Sequence, residues 1–224
     1  MRSQEKRLNA IPEDVWDVLR IIEKSYGIKF EGNELRNVRT FGQLTDHVIS
    51  RLHFENRDDC TGQQAFYKLK AAIEKVKDGH SNTVSPSTAL KEIFPRSTRI
   101  TEIKGVETLL ELKLDALRPR HFVTISLTTI FLLSLVVVYF NWQVGAVGLL
   151  ISICGSWIAA RGGIEFKDSN LRELTERMTQ VNYTKSRRQL GTMNVNEIHF
   201  KIEKLFVENL ALEEGKIDRE TLIA

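Results

Sequence analysis

Two uncharged runs set back to back, Phe122 to Phe140 and Val144 to Ala160, constrain this chain more than anything else in it. The first runs for about 19 residues, and at about 1.5 Å per residue that makes roughly 28 Å of helix, close to the thickness of a hydrocarbon core. The second repeats Gly148, Ser152, Ser156 and Ala160 every four residues, a small-residue face on which a neighbouring helix can sit closely. Only the polar break Asn141-Trp142-Gln143 separates them. The pattern predicts a two-helix transmembrane hairpin over 122–160. The alternative is two buried helices of a soluble core, but a soluble chain rarely places two uncharged runs of this length side by side.

Basic residues gather where the chain meets the hairpin: Arg118, Arg120 and His121 before it, Arg161 after it. The positive-inside rule then puts both flanks, and with them both termini, on the cytoplasmic side of an inner membrane, and sends the 141–143 loop across. Trp142 and Trp157 lie near the ends, where indoles favour the headgroup zone. Residues 1 to 20 are charged and lack a continuous apolar core, so no signal peptide is expected. Cys60 falls in a polar loop and Cys154 in an apolar run, so the two are not expected to pair, and a reducing compartment fits.

Of 224 residues, 42% are hydrophobic, and these are pooled in the hairpin, so the remainder suits one or two small domains. Pro12, Glu13 and Asp14 open a helix whose apolar face is Val15, Leu19, Ile22 and Tyr26, with Gly27 at its stop. Thr40-Phe41-Gly42-Gln43 reads as a capping box for a second helix with Phe41, Leu44, Val48 and Leu52 on its stripe. Glu55 to Gly62 reads as a polar linker and a domain boundary. Further helices are expected at Gln63 to Lys77, breaking at Asp78-Gly79-His80, and from about Ser97 to Leu112. Beyond the hairpin, Asn170-Leu171-Arg172-Glu173 is another capping box. Tyr183 to Met193 reads as a basic linker, and Asn196 to Leu210 as a last helix with Ile198, Ile202, Leu205 and Phe206 inward.

Internal repetition is the main information outside the hairpin. Gly27-Ile28-Lys29-Phe30 returns as Gly163-Ile164-Glu165-Phe166, and Thr40 to Thr45 returns as Asn170 to Thr175. Separately, Phe66 to Leu90 returns without a gap as His199 to Ile223, pairing Leu69 with Ile202, Ile73 with Phe206 and Val84 with Ile217. One unit therefore occurs twice, in pieces.

These pieces resemble acyl carrier proteins, small four-helix domains in which a serine at the start of the second helix holds a phosphopantetheine arm. Ile21 to Phe30 with Val38 to Leu44 is similar to the end of the family's second helix, its loop and the entry to its last helix. Gln63 to Phe94 is similar to its first helix and long loop, and Asn196 to Ile223 to the same part again. The resemblance implies an all-α fold of acyl-carrier-like helical bundles plus the transmembrane hairpin. It divides the chain into an N-terminal half with helices II to IV (1–56), the first part of a second bundle (63–115), the hairpin (122–160), the remainder of that bundle (161–184), and a first-helix fragment (194–224) completing the N-terminal half. The fragments can meet within one chain or by exchange between two, and the expected contacts join Ile198, Ile202 and Phe206 to Val15, Leu19, Ile22 and the face from Leu44 to Val48.

The resemblance also implies Ser97 as the phosphopantetheine position. Its neighbours Arg96 and Thr98 stand where the family has Asp and Leu, so a helix cap or an exposed serine is the competing reading, and no cofactor is the expectation. In the other copy the place falls near Pro12, which has no hydroxyl. Asp168-Ser169 resembles the family motif but lies at a last-helix entry. Where the family shows partners an acidic helix, Arg96, Arg99 and Lys104 favour an acidic partner or anionic headgroups. The five histidines have no metal-ligand spacing, no glycine-rich phosphate loop is present, and Lys185-Ser186-Arg187-Arg188 is too short to suggest nucleic acid. The expected role is non-enzymatic: a bilayer-anchored binding or scaffolding element for acyl-chain or envelope-lipid machinery, with an unidentified protein partner. A carrier modified at Ser97 and a structural subunit of a membrane complex are the alternatives.

Overall fold

The computed structural model describes residues 7–8, 10–77, 84–213 and 215–223, and only the backbone at Arg161. The expected break at Asp78-Gly79-His80 lies outside the described residues. In chain order the elements are α1 (Pro12–Tyr26), a 3-10 turn (Glu34–Asn37), α2 (Phe41–Arg51), β1 (Glu55–Asn56), α3 (Thr61–Val76), α4 (Leu90–Ile93), α5 (Arg99–Leu110), β2 (Leu117–Arg118), α6 (His121–Phe140), α7 (Trp142–Arg161), β3 (Glu165–Phe166), α8 (Leu171–Val181), α9 (Tyr183–Ser186), β4 (Thr192–Met193) and α10 (Val195–Asn209). The fold is predominantly helical, and the strands among the described residues are only two residues long. The chain divides into two units, Met1–Ile73 with Thr175–Ala224, and Glu74–Leu174. The boundaries fall inside α3 and α8 and not in the 55–62 stretch.

The first unit is assembled from both ends of the chain. Helix α1 starts on Pro12, whose missing N–H costs nothing at that position, and stops at Gly27 with φ +69°. At α2 the Thr40 hydroxyl accepts the Gln43 N–H at 3.2 Å while the Gln43 carboxamide accepts from the Thr40 N–H, so the capping box is complete. The apolar stripes of α1 and α2 then meet α10. Val18, Leu19, Ile22, Phe41, Leu44, Val48, Ile198, Ile202, Leu205 and Phe206 form one buried cluster, with Val15 packed at its margin. Phe41 meets Phe206 edge to face at 5.6 Å. Each such side chain contributes about 1.5–3 kcal/mol when fully buried.

The stretches 55–62 and 183–193, expected as linkers, are structured parts of this unit. β1 pairs in parallel with β4, Glu55 opposite Thr192 and Asn56 opposite Met193. Tyr183 is fully buried and stacks on Tyr26 at 5.0 Å. Arg187, expected in a basic linker, is also fully buried. Its guanidinium donates to Thr192 Oγ1 at 2.9 Å and Thr61 Oγ1 at 2.6 Å and pairs with the Asp59 carboxylate. A polar pattern hides this because the charge is neutralised by residues more than 100 positions away in sequence.

In the second unit, Ile103, Val106 and Leu110 of α5 are buried, as are Leu90, Ile93, Phe94, Phe166, Leu171 and Leu174. The α8 entry is capped by Asn170, whose side chain accepts the Glu173 N–H at 3.0 Å. The Glu173 carboxylate reaches back one residue further than in the standard box, to the Ser169 N–H at 2.7 Å. The antiparallel pair β2–β3, Leu117 opposite Phe166 and Arg118 opposite Glu165, ties together the two chain ends of the hairpin. Gly163 is obligatory there, since a Cβ would lie 2.6 Å from the Arg118 carbonyl carbon.

Helices α6 and α7 each have 20 residues, are long and apolar enough to cross a membrane, and pack antiparallel. Only 6% and 11% of their apolar windows is buried, so these helices are not enclosed by the rest of the described chain. The contact face differs from the one expected. A Cβ at Gly145 would meet Val138, at Gly148 it would meet Ser134, and at Gly155 it would meet Leu127. Ser152 is buried and Ala159 half-buried, whereas Ser156 and Ala160 are exposed. The face therefore alternates steps of three and four residues, 145, 148, 152, 155 and 159. A strict four-residue repeat drifts round the helix by about 40° per step, so Ser156 and Ala160 rotate off the seam.

Candidate functional site

The first unit has a largely apolar, partly open cavity of about 470 Å³. Helix α1 contributes Pro12, Val15, Trp16 and Leu19, the 3-10 turn and its cap contribute Leu35 and Val38, and α2 contributes Leu44. The chain ends close it: Leu8 donates its N–H to Leu222 O at 2.7 Å, and Ile223 donates to Arg39 O at 2.9 Å while lining the wall. Trp16 is 56% exposed and so stands at the rim. Arg7 is the one charged side chain on the wall among the described residues. An apolar interior with a single cation suits an amphiphile with an acidic head. The lining residues that sequence reasoning did not single out are Arg7, Leu8, Ala10, Trp16 and Leu35. Trp16 lies off the stripe of Val15, Leu19 and Ile22, and a large aromatic off the core stripe was the available sign.

Ser97 is exposed in the turn before α5, and the helix begins two residues later at Arg99. Its immediate neighbours are also exposed. Arg99 is not part of a surface patch: it is 5% exposed, donates from Nε to Phe94 O at 3.1 Å and from Nη1 to Ile164 O at 2.6 Å, and lies 4.5 Å over the Phe166 ring. Burial lowers its affinity for a proton. Arg99 thus serves the fold, and of the three cations expected to face an acidic partner only Arg96 and Lys104 are exposed.

Among the membrane-flanking residues, Arg118 lies in β2 and is exposed, and Arg120 precedes α6, 3.9 Å from Glu165. Trp142 and Trp157 are 69% and 58% exposed at the two ends of α7. The Arg161 side chain lies outside the described residues. Cys60 and Cys154 are both free thiols.

In the first unit a polar network runs beneath the core. The Ser25 hydroxyl donates to Gln180 O at 2.5 Å and accepts the Tyr183 N–H at 3.0 Å, and the Tyr183 hydroxyl accepts the Asn194 N–H at 2.9 Å. Burial, with Tyr183 and Glu197 nearby, holds the Tyr26 phenol well above its ordinary range, so it stays protonated and structural. Comparison with known proteins adds nothing to this geometry: no family model, no curated protein and no solved structure matches the chain.

Proposed function

We propose that this chain is a membrane-anchored, non-enzymatic binding protein that holds an acyl chain without a covalent arm, in an acyl-carrier-like bundle beside the bilayer. The hairpin of α6 and α7 spans an inner membrane with both termini in the cytoplasm, in keeping with its length, its bare apolar flanks and the basic residues at its base. The observation that carries the binding role is the cavity of about 470 Å³, whose lining side chains are apolar except for Arg7. Pro12 lines it, where the resemblance would put a modified serine and this chain has no hydroxyl. A noncovalent ligand fits that substitution. The bound chain is then offered to acyl-chain or envelope-lipid machinery, and the protein acts as a scaffold for it.

The test is displacement of a fluorescent fatty-acid analogue from the full-length protein in neutral detergent. Filling the cavity with Val38→Trp should weaken binding about tenfold or more. Unchanged affinity in that variant would remove the reading. The second reading, a working carrier, is favoured by one observation, the exposure of Ser97 before α5. Coexpression with a phosphopantetheinyl transferase and intact-mass measurement separates the two, because a mass gain abolished by Ser97→Ala establishes the carrier.

A further inference from the structure

A second cavity, of about 600 Å³, lies within the second unit at the base of the hairpin. Its wall carries Lys91, Arg118, Arg120 and Lys167 against two carboxylates, Glu165 and Asp168. Most of these charges are committed. Glu165 is flanked by Arg96 at 3.6 Å and Arg120 at 3.9 Å, and Lys167 pairs with Asp115 at 2.5 Å. Asp168 is 8% exposed and already engaged. Lys91 and Arg118 remain, both exposed, with no ion pair among the described residues. The cavity is therefore a basin with two cations available for an anion.

The backbone adds to that charge. Helix α6 begins at this wall with His121 and Phe122, and Arg120 at its cap position makes no side-chain hydrogen bond to the first turn. The positive end of a 20-residue helix thus belongs to the same basin, with the Val123 and Thr124 N–H groups taken up by the Arg120 carbonyl and those of His121 and Phe122 at its start. Phe122, 60% exposed, opens the apolar run of α6, so the polar basin and the bare apolar surface are contiguous. A ligand matched to both has an anionic oxygen cluster at one end and hydrocarbon at the other. Arginine with helix amides favours phosphate over a single carboxylate, because phosphate offers more acceptor oxygens to a forked donor.

We infer that this basin is a phosphate-binding site occupied by the phosphate of an anionic lipid headgroup. The inference rests on the membrane reading given above, and it is independent of the acyl-chain cavity. It gives the hairpin a fixed depth and a lipid preference, with Arg118 and Lys91 as the determinants.

The test uses the full chain in nanodiscs of phosphatidylcholine alone and of phosphatidylcholine with phosphatidylglycerol, followed by release and native mass measurement of retained lipid. The expected result is a retained phosphatidylglycerol on the wild type that inorganic phosphate in the buffer does not displace. The double variant Lys91→Gln with Arg118→Gln should lose it roughly 30-fold, two cations near an anionic surface each being worth about fivefold. Equal retention by the double variant, or no preference for phosphatidylglycerol, overturns the inference. Binding of inorganic phosphate to the protein in neutral discs, lost in the same variant, keeps the phosphate site and assigns it to soluble phosphate esters. Resistance to carbonate extraction is followed in parallel: its loss in the wild type would sink the membrane reading, whereas failure of the headgroup site alone leaves it intact.

Discussion

Gly42 donates its backbone N–H to the carbonyl of Arg219 at 2.8 Å, so a residue near one end of the chain is stitched to a residue near the other. The same pattern recurs in the second unit. Phe41 donates to Thr221 O at 2.9 Å and Leu171 to Thr88 O at 3.0 Å, while Gly42 to Arg219 corresponds to Arg172 to Pro86, both 2.8 Å. The Thr221 hydroxyl accepts the Asp218 N–H at 2.9 Å as the Thr88 hydroxyl accepts that of Ser85 at 3.0 Å. Thr40 bridges Leu222, and Asn170 bridges Ala89. The paired positions are those matched by the sequence repeat, so the repeat is a repeat of hydrogen bonding as well as of apolar residues. In the second unit the strand of loop precedes the helix it caps. In the first it follows it.

Gly42 should therefore be sensitive to the smallest enlargement. A Cβ there would lie 2.7 Å from the Arg219 carbonyl oxygen and 3.0 Å from its Cβ. Because Arg172 carries a side chain at the matching place, the loop has room to yield, and Gly42→Ala is expected to cost about 1–3 kcal/mol, with selective loss of amide protection in α2 and at 217–223. Hydrogen exchange on the full chain measures it, and unchanged protection at both segments would contradict the close approach.

The buried Arg187 makes Asp59 more important than its half-exposed position suggests. Asp59→Ala leaves a guanidinium, fully buried, with only the hydroxyls of Thr61 and Thr192. The loss should be about 3 kcal/mol, toward the low end for breaking a buried pair by removing one partner. Arg187→Lys should fail to rescue it, since an ammonium cannot reach three acceptors with a planar fork. Pulse proteolysis in urea reads both variants.

In the hairpin, Gly148→Leu should disrupt α6–α7 packing, because its Cβ would already collide with Ser134 Oγ. Ser156→Leu should leave packing intact, its side chain being on the exposed side. Detergent stability and size of the two variants measure it. The reverse result would restore the four-residue face.

His199 lies where α10 meets Arg219 and Asp46, its ring nitrogen against the Arg219 guanidinium and 3.6 Å from the Asp46 carboxylate. Burial first, and then Arg219, lower its proton affinity below the ordinary 6.5, with Asp46 opposing. The folded state then binds fewer protons than the unfolded one, so stability is full above about pH 6.5 and declines as pH falls through and below that value. His199→Gln should flatten this slope in a series of urea midpoints; a slope unchanged by the substitution would show that the pH dependence lies elsewhere.

How far the sequence could be read follows from the range of each interaction. The capping box at Thr40, the stop at Gly27 and the apolar stripes of α1, α2 and α10 depend on neighbours within a turn or two, and the helices appear within about two residues of their expected bounds. The hairpin was legible for the same reason, but its seam was not: Gly145 and Gly155 matter only through Val138 and Leu127 on the other helix. The burial of Tyr183 and Arg187 in the 183–193 segment depends on Ser25, Thr61 and Asp59, which local pattern cannot foresee. The cavities are likewise properties of elements brought together from distant stretches.

The joining of the chain ends gives the sharpest test of the first unit. Arg7 bridges Leu222 in parallel, and Leu8 bonds to Leu222 O, so the end of the tail and the approach to α1 lie side by side. A short flexible linker from Ile223 to Arg7 would then span the gap with little strain, placing α10 before α1 and α2 in one continuous chain. The segment must begin at Asn182, so that Tyr183 stays against Tyr26 and β4 stays against β1, and must run to Thr61, so that the buried Arg187 keeps Asp59 and Thr61. Such a permuted chain of residues 182–223, linker, 7–61 carries the whole buried cluster from Val18 to Ile217 and none of the hairpin. It is expected to be soluble, helical and cooperative in urea. Residues 7–61 alone lack Ile198, Ile202, Leu205 and Phe206, leave two apolar stripes uncovered, and should show no cooperative transition. If the permuted chain is as unstructured as the shorter one, the contacts between the chain ends are not sufficient to make this unit a domain.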